Sequence, residues 1–259
     1  MIGRWTVLAG SATGGAHARA AAGSQDAHAV RETNGTLLVA VADGASSAAC
    51  GAVGATLVVG LAVQVFAELL RAGPPRHAHG WTTLITTGGD RLIRRFDQAA
   101  AALSRAKADL ATTVTVVLAH GAWVAVFAVG DGFVVARDRG GELDLLLAPP
   151  DATGREPGRT ELLPSPRDGG RRLVANLPGL SGLAIGTDGL ESMLIEYDRS
   201  RPVRAGAAFG RLFALTGDDD PAALDRLLAG RQVAGLTDDD RTLILAVSSA
   251  GESAVPGES

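Results

Sequence analysis

The chain has 259 residues, 46% of them hydrophobic, and a formal net charge of −4 from 24 basic and 28 acidic side chains. That balance speaks against non-specific nucleic-acid binding, which needs a positive surface. The single cysteine, Cys50, leaves no disulfide framework and no cysteine-rich zinc site.

The length fits one large domain or two small ones and suffices for a sizeable core. Lys107 is the only lysine, so the positive charge is nearly all arginine. With the abundant Ala and Gly, this reads as the codon bias of a GC-rich genome.

Trp5 to Ala9 predicts a first strand and is too short for a signal segment. Ser11 to Ser24, rich in Gly, Ala and Ser, predicts a loop. Asp26 to Arg31 and Thr36 to Ala42 predict a hairpin turning at Asn34-Gly35. Leu37 to Ala42 is apolar throughout, as in a strand buried on both faces. Ala48 to Arg71 predicts a helix with Val53, Leu57, Leu61, Val65 and Leu69 on one stripe, ended by Pro74-Pro75. Its most apolar part, Leu57 to Val65, is followed by Glu68 and Arg71 and is too short to span a bilayer. A soluble cytoplasmic protein without membrane partners is expected.

Thr82 to Ser104 predicts a second long helix, interrupted in propensity at Gly88-Gly89. Strands follow at Thr112 to Ala119, Trp123 to Val129, Phe133 to Arg137 and Leu143 to Leu147. Residues 149–170 are polar and rich in Pro and Gly, and a connection that long is usually functional or mobile. Leu173 to Ala175 and Leu183 to Gly186 predict strands. Leu190 to Tyr197, Val203 to Leu215 and Pro221 to Ala229 predict helices. Thr242 to Ser248 is the last strand, and residues 251–259 read as a disordered tail. Hairpin-linked strands with helices between them predict an α+β fold with antiparallel sheets in a single domain, 1–250.

Carboxylates recur at strand ends: Asp43-Gly44, Asp131-Gly132, Asp188-Gly189, and Asp238 to Asp240 before Leu243 to Val247. Gathered in space, such groups repel one another unless a cation sits among them. Hard oxygen donors without a His/Cys cluster suit Mg²⁺ or Mn²⁺. Two such ions can hold a bridging water, lower its pKa and orient a phosphate for in-line attack. The plain alternative is a set of solvated turn acids, since Asp-Gly is ordinary turn punctuation. Other phosphate chemistries fit less well. Thr56 stands where a cysteine phosphatase starting at Cys50 needs Arg, and no Walker A loop precedes Lys107. Asp238-x-Asp240-x-Thr242 precedes its strand rather than following one. No G-x-S-x-G elbow occurs. His77 and His79 lie beside Pro74-Pro75 without a nearby acid and read as loop residues.

In order, GSQDAHAV (23–30), VAVADGASSA (39–48), ATTVTVVL (111–118), AVGDG (128–132), IGTDGL (185–190) and DDRTLILAV (239–247) resemble the PPM/PP2C family of metal-dependent Ser/Thr protein phosphatases. GGAH (14–17) before the QDA motif resembles the bacterial protein phosphatase 2C family 2 subgroup. The resemblance implies a four-layer α/β/β/α sandwich, two antiparallel sheets flanked by helix pairs. It implies two or three Mg²⁺ or Mn²⁺ ions and phosphoserine or phosphothreonine hydrolysis by a metal-activated bridging water. Phosphoprotein substrates of a cognate Ser/Thr kinase come with it.

By the same resemblance, Asp43 bridges both metals beside the Gly44 carbonyl. Asp188 and Asp239 are ligands of the first metal, and Asp131 belongs to a weaker third. Asp26 and Gln25 stand behind the metals, Gln25 where the family has Glu, and Asp240 falls on the family's Asn position. Thr113 is expected to be structural. Residues 149–170 correspond to the family's variable flap. Ala21 replaces a phosphate-binding Arg, which leaves His17 or Arg19 to hold phosphate. Ala45 replaces a histidine proposed as general acid. Gln25, Ala21 and Ala45 also motivate a second reading, a catalytically degenerate domain that binds metal or phosphoprotein in signalling.

Overall fold

A computed structural model describes residues 5–103, 106–150, 160–164, 166, 169–217 and 220–248. The expected tail, 251–259, lies outside the described residues, as do 151–159, 165, 167 and 168 of the expected flap.

The chain runs β1 (Trp5–Ala12), α1 (Gly15–Arg19), β2 (Asp26–Thr33), β3 (Thr36–Asp43), α2 (Gly51–Leu69) and α3 (Ala78–Ala102). It continues with β4 (Val114–His120), β5 (Trp123–Val129), β6 (Phe133–Asp138), β7 (Leu143–Leu147), β8 (Arg171–Asn176) and β9 (Leu180–Gly186). Then come α4 (Glu191–Leu194), β10 (Ile195–Asp198), β11 (Arg201–Ala205), α5 (Ala208–Ala214), α6 (Ala223–Ala229), α7 (Arg231–Ala234) and β12 (Arg241–Ser248).

Two five-stranded antiparallel sheets form, ordered β1-β12-β9-β6-β7 and β2-β3-β4-β5-β8. Their facing sides alternate along each strand. Leu37, Val39 and Val41 of β3 meet Val134, Ile185 and Ile244 in the core between the sheets. The intervening Leu38 and Ala40 pack outward with Phe66 of α2 and Trp81 and Phe96 of α3. On the other outer side, Leu243 and Leu245 of β12 pack with Phe209 and Phe213 of α5 and Leu224 and Leu228 of α6. The α+β fold read from the hairpin pattern is therefore present, and β3 is buried on both faces as its apolar run predicts.

Helix α2 departs from the expected stripe. Val53 is 45% exposed, and the buried side carries Ala55, Val58, Val59, Ala62, Val65 and Phe66. The helix is apolar nearly all round, so hydrophobicity alone leaves its facing ambiguous. Small Ala and Gly residues face the sheet and allow a close approach. The apolar segment is also longer than the sequence suggests. By length and composition Gly51–Ala72, with a mean hydropathy of 2.0, would suffice to cross a bilayer, yet half of that window is buried within the protein. In α3, Gly88 and Gly89 do not interrupt the helix. A Cβ on Gly88 would come within 2.1 Å of the Phe66 ring, and one on Gly89 within 2.5 Å of Phe127. Their cost in helix propensity is offset by tight packing on α2 and the sheet.

The largest differences from expectation lie between β9 and α6. Residues 195–197 and 203–205, expected as the ends of two helices, belong instead to the antiparallel ribbon β10–β11. It turns at Arg199 and Ser200, both with positive φ (47° and 69°). That turn lacks the Asn-Gly or Asp-Gly signal that marks a hairpin in sequence. Ser11 to Ser24 is not all loop. Ser11 and Ala12 pair with Thr242 and Arg241, and α1 follows.

Candidate active site

Strand register brings the first two acids together. Asp26 of β2 stands opposite Asp43 of β3 and raises the cost of charging it. The Asp43 backbone is fixed by the start of β4. Its N–H donates to Thr113 Oγ1 at 2.9 Å. Its carbonyl accepts the Thr113 N–H at 2.8 Å and the Thr112 hydroxyl at 2.8 Å. The next position must be glycine, because a Cβ on Gly44 would lie 2.2 Å from the Gly51 carbonyl carbon at the start of α2. Asp131 follows β5, and the Thr160 hydroxyl donates to its Oδ2 at 2.6 Å. Asp188 follows β9. The adjacent Thr187 hydroxyl donates to Asp26 Oδ2 at 2.9 Å and accepts the Thr242 N–H at 3.1 Å. Thr187 thus ties the ends of β2, β9 and β12 into one rim.

The rim is short of positive charge. Asp43 is pushed up to about 9 by burial and then by the charges of Asp26, Asp188 and Asp131. Asp188 is pushed up to about 7 by burial and by Asp131, Asp239, Asp26 and Glu191. Asp26 is pushed up to about 6, chiefly by burial, although the Thr242 and Thr187 hydrogen bonds oppose the shift. Asp26 Oδ1 and Gln25 Oε1 are buried without a hydrogen-bond partner. Orphaned oxygens and crowded carboxyls are what a hard divalent cation relieves, so this donor set fits Mg²⁺ or Mn²⁺. Among the described residues no three His, Cys, Asp or Glu side chains converge tightly enough to form a protein-only cage.

Beside this rim lies a carboxylate in the opposite condition. Asp240, 4% exposed, accepts the Gly14 N–H at 2.6 Å and the Gln25 N–H at 2.6 Å. Its Oδ2 also meets His17 Nδ1 at 2.9 Å. Helix α1 docks on the same turn, with the Ala16 N–H donating to the Asp238 carbonyl at 3.2 Å. Arg19 reaches Asp238 Oδ1 at 3.2 Å, with both side chains about two-thirds exposed (68% and 66%). The buried Arg241 donates to the Thr13 carbonyl at 2.7 Å and holds the strand that leads into Gly14.

The acids singled out in the sequence thus divide. Asp26, Asp131 and Asp188 act electrostatically on Asp43, and Asp239 acts on Asp188. Gln25, Asp240 and His17 form a hydrogen-bonded group next to them. Arg19 lies outside, on Asp238. Thr113 holds the Asp43 backbone, in keeping with its expected structural part. Sequence reasoning passes over Thr187 and Thr160, whose hydroxyls bond the rim acids. It also passes over Tyr197, whose hydroxyl donates to Glu191. Glu191 is pushed up by burial, and Asp131 adds to the shift. A threonine directly before Asp188 was the available signal for Thr187. The Tyr197–Glu191 pair depends on the unforeseen ribbon and had none.

The family model for protein phosphatase 2C matches residues 13–229. No curated protein sequence matches the chain. Solved structures with the same fold include a bacterial serine phosphatase, 15% identical with a TM-score of 0.60, over 99% of this chain and 100% of that one. The serine/threonine phosphatase Stp1 from Staphylococcus aureus is 15% identical with a TM-score of 0.60, over 93% of this chain and 94% of that one. The S. agalactiae serine/threonine phosphatase is 13% identical with a TM-score of 0.63, over 94% of this chain and 99% of that one. At these identities the likeness is one of fold.

Proposed function

Because the chain belongs to the protein phosphatase 2C family, a family of phosphoprotein phosphatases, we propose that it hydrolyses phosphoserine and phosphothreonine with Mg²⁺ or Mn²⁺ at the Asp43 rim. The observation that supports this most is the unrelieved acid cluster of Asp26, Asp43 and Asp188, with Asp26 Oδ1 and Gln25 Oε1 unpartnered. Asp43, Gly44, Asp131, Asp188 and Asp239 would hold the ions. When bound, such ions supply a deprotonated water at neutral pH and positive charge for the phosphoryl oxygens. Asp26, kept in place by Thr187, and the unpaired oxygen of Gln25 are suited to hold waters behind that group.

The chain's remaining work is positioning and charge, which is most of what phosphoryl transfer asks of a protein. Thr112 and Thr113 fix the Asp43 turn, so its carboxyl meets the reacting group without reorganising. Arg19 is the group suited to phosphate. Its exposed pair with Asp238 exchanges at little cost for a bidentate contact with phosphoryl oxygens. A cognate Ser/Thr kinase and a cytoplasmic setting accompany this reading.

The test is Mn²⁺-dependent hydrolysis of p-nitrophenyl phosphate and of a phosphothreonine peptide, by the wild type and by Asp43→Asn. Turnover by the wild type is expected, with a loss of at least ~10³-fold in the variant, about 4 kcal/mol of transition-state stabilisation. A folded wild type without metal-dependent turnover leaves the degenerate signalling domain, for which Gln25, Ala21 and Ala45 argue. Unchanged turnover in Asp43→Asn removes the site assignment instead.

A further inference from the structure

Ala45 leaves the position after Asp43-Gly44 without a side chain that carries a proton. A seryl or threonyl oxygen leaving phosphorus needs one, because an alkoxide is a poor leaving group. Of the five histidines, His120 lies at the other end of its sheet, against the Gly35 carbonyl at 3.0 Å. His28 lies two residues along β2 from Asp26 and is exposed, with no carboxylate hydrogen-bonded to it among the described residues. His17 stands beside the rim and is held in a particular way.

Its Nδ1 lies 2.9 Å from Asp240 Oδ2. The same oxygen accepts the Gln25 N–H at 2.6 Å, and Gln25 directly precedes Asp26. The other oxygen accepts the Gly14 N–H at 2.6 Å. Two backbone donors therefore hold the Asp240 carboxyl in place, independently of the imidazole. A carboxylate only accepts, so Nδ1 carries a hydrogen and Nε2 faces away from Asp240. Among the described residues the His17 imidazole has no other hydrogen bond, and its side chain keeps 23% of its surface open. An imidazole oriented by a buried carboxylate, with its second nitrogen open to a ligand, is the arrangement of an acid–base dyad. A cation that only held phosphate would not need that backing, and Arg19 on the same helix lacks it.

We propose that His17, oriented by Asp240, donates the proton to the leaving seryl or threonyl oxygen. This rests on the phosphatase reading and deepens it. Water oxygen bonds to phosphorus, and the bond from phosphorus to the side-chain oxygen breaks, leaving its electron pair on that oxygen. The Nε2 proton of His17 moves to it, giving the free hydroxyl. The imidazole regains a proton from solvent, the attacking water gives one up, and inorganic phosphate departs. Ester and water become alcohol and phosphate, with no oxidant or reductant.

The test compares leaving groups. p-Nitrophenolate departs without a proton, whereas threonine does not. In Mn²⁺, His17→Ala is expected to lower kcat on a phosphothreonine peptide by about 10²-fold, the low end of general acid catalysis. Its loss on p-nitrophenyl phosphate is expected to be at least about tenfold smaller, because that leaving group needs no general acid. Added imidazole is expected to restore part of the peptide rate. His17→Gln keeps a hydrogen-bond donor to Asp240 but carries no transferable proton. It is expected to show the same split, so the test survives if the Ala variant unfolds. Equal losses on both substrates, or a raised KM with kcat intact, would overturn the proposal in favour of a structural or phosphate-holding part. A wild type without Mn²⁺-dependent turnover on either substrate sinks the phosphatase reading, and this inference with it.

Discussion

Asp43 and Asp240 are carboxylates on neighbouring rims, and their surroundings are opposite. Around Asp43 the nearest polar groups are acids, and its carboxyl is pushed up to about 9 by burial and their charge. Around Asp240 the nearest polar groups are two backbone N–H donors and an imidazole. The first carboxylate meets no counter-charge among the acids that act on it. The second is completed by the fold itself. Both come from Asp-rich turns at strand ends, and the turn alone does not distinguish them. The donors that converge on each do. Experiments that neutralise, titrate or unpair the two sides test how deep that difference goes.

The largest effect is expected from pH in the absence of metal. Asp26, Asp188 and Asp43 titrate near 6, 7 and 9 in the folded chain, against a usual value of 3.8. Between those limits the folded state keeps protons that the unfolded state gives up, so stability falls as pH rises. One retained proton corresponds to about 1.4 kcal/mol per pH unit, so Asp43 alone accounts for about 4 kcal/mol between pH 5 and pH 8, and Asp188 and Asp26 add to it over the lower part of that range. Urea denaturation of the metal-free protein across that range is expected to show the fall, and saturating Mg²⁺ or Mn²⁺ is expected to flatten it. A slope of the other sign, or one indifferent to metal, would mean the rim is not a charge-starved site.

Much of that rim was legible as sequence, for a physical reason. A strand buried on both faces must be apolar throughout, so Leu37 to Ala42 announces itself, and so does the Asp that ends it. The order of the strand-end motifs carried the fold class. Spatial pairing was not legible. Nothing in Asp238-Asp239-Asp240 tells that Asp240 is 4% exposed and hydrogen-bonded while Asp239 is exposed. That depends on where Gly14 and Gln25 bring their backbone N–H groups, more than 200 residues away in sequence. The face of α2 was misread because an all-apolar helix carries little directional signal. The β10–β11 ribbon was read as helix because its turn at Arg199-Ser200 adopts positive φ without Gly or Asn. Tyr197 and Glu191, which that ribbon brings together beside Asp131, were lost with it.

An intermediate effect is expected from removing one charge on each side with the shape kept. Asp240→Asn puts an amide N–H₂ where Gln25 or Gly14 donates, leaving at least one buried donor unpaired. It is expected to destabilise the protein by about 2 kcal/mol. Asp43→Asn in the metal-free protein removes a carboxyl that must take up a proton to fold at pH 8, because burial and three neighbouring acids oppose its charge. It is expected to stabilise by at least ~1 kcal/mol, raising Tm by about 2–4 °C or more. Thermal melts at pH 8 without metal measure both. Equal signs for the two substitutions would erase the contrast between the sides.

The smallest effect sharpens the comparison at its outer edge. Arg19 and Asp238 form an ion pair at 3.2 Å, with side chains 68% and 66% exposed. Exposed pairs of this kind contribute ~0–1 kcal/mol because solvent screens them and ordering two long side chains costs entropy. Arg19→Ala is therefore expected to change stability by less than ~0.5 kcal/mol, visible as a small shift in a urea midpoint. Its KM for a phosphothreonine peptide is expected to rise severalfold while kcat holds, since a guanidinium lightly held by one carboxylate exchanges readily for phosphate. A stability loss beyond ~1 kcal/mol would place Arg19 with Asp240, among the groups the fold completes for itself. An unchanged KM would leave phosphate to the rim acids' ions and the backbone alone.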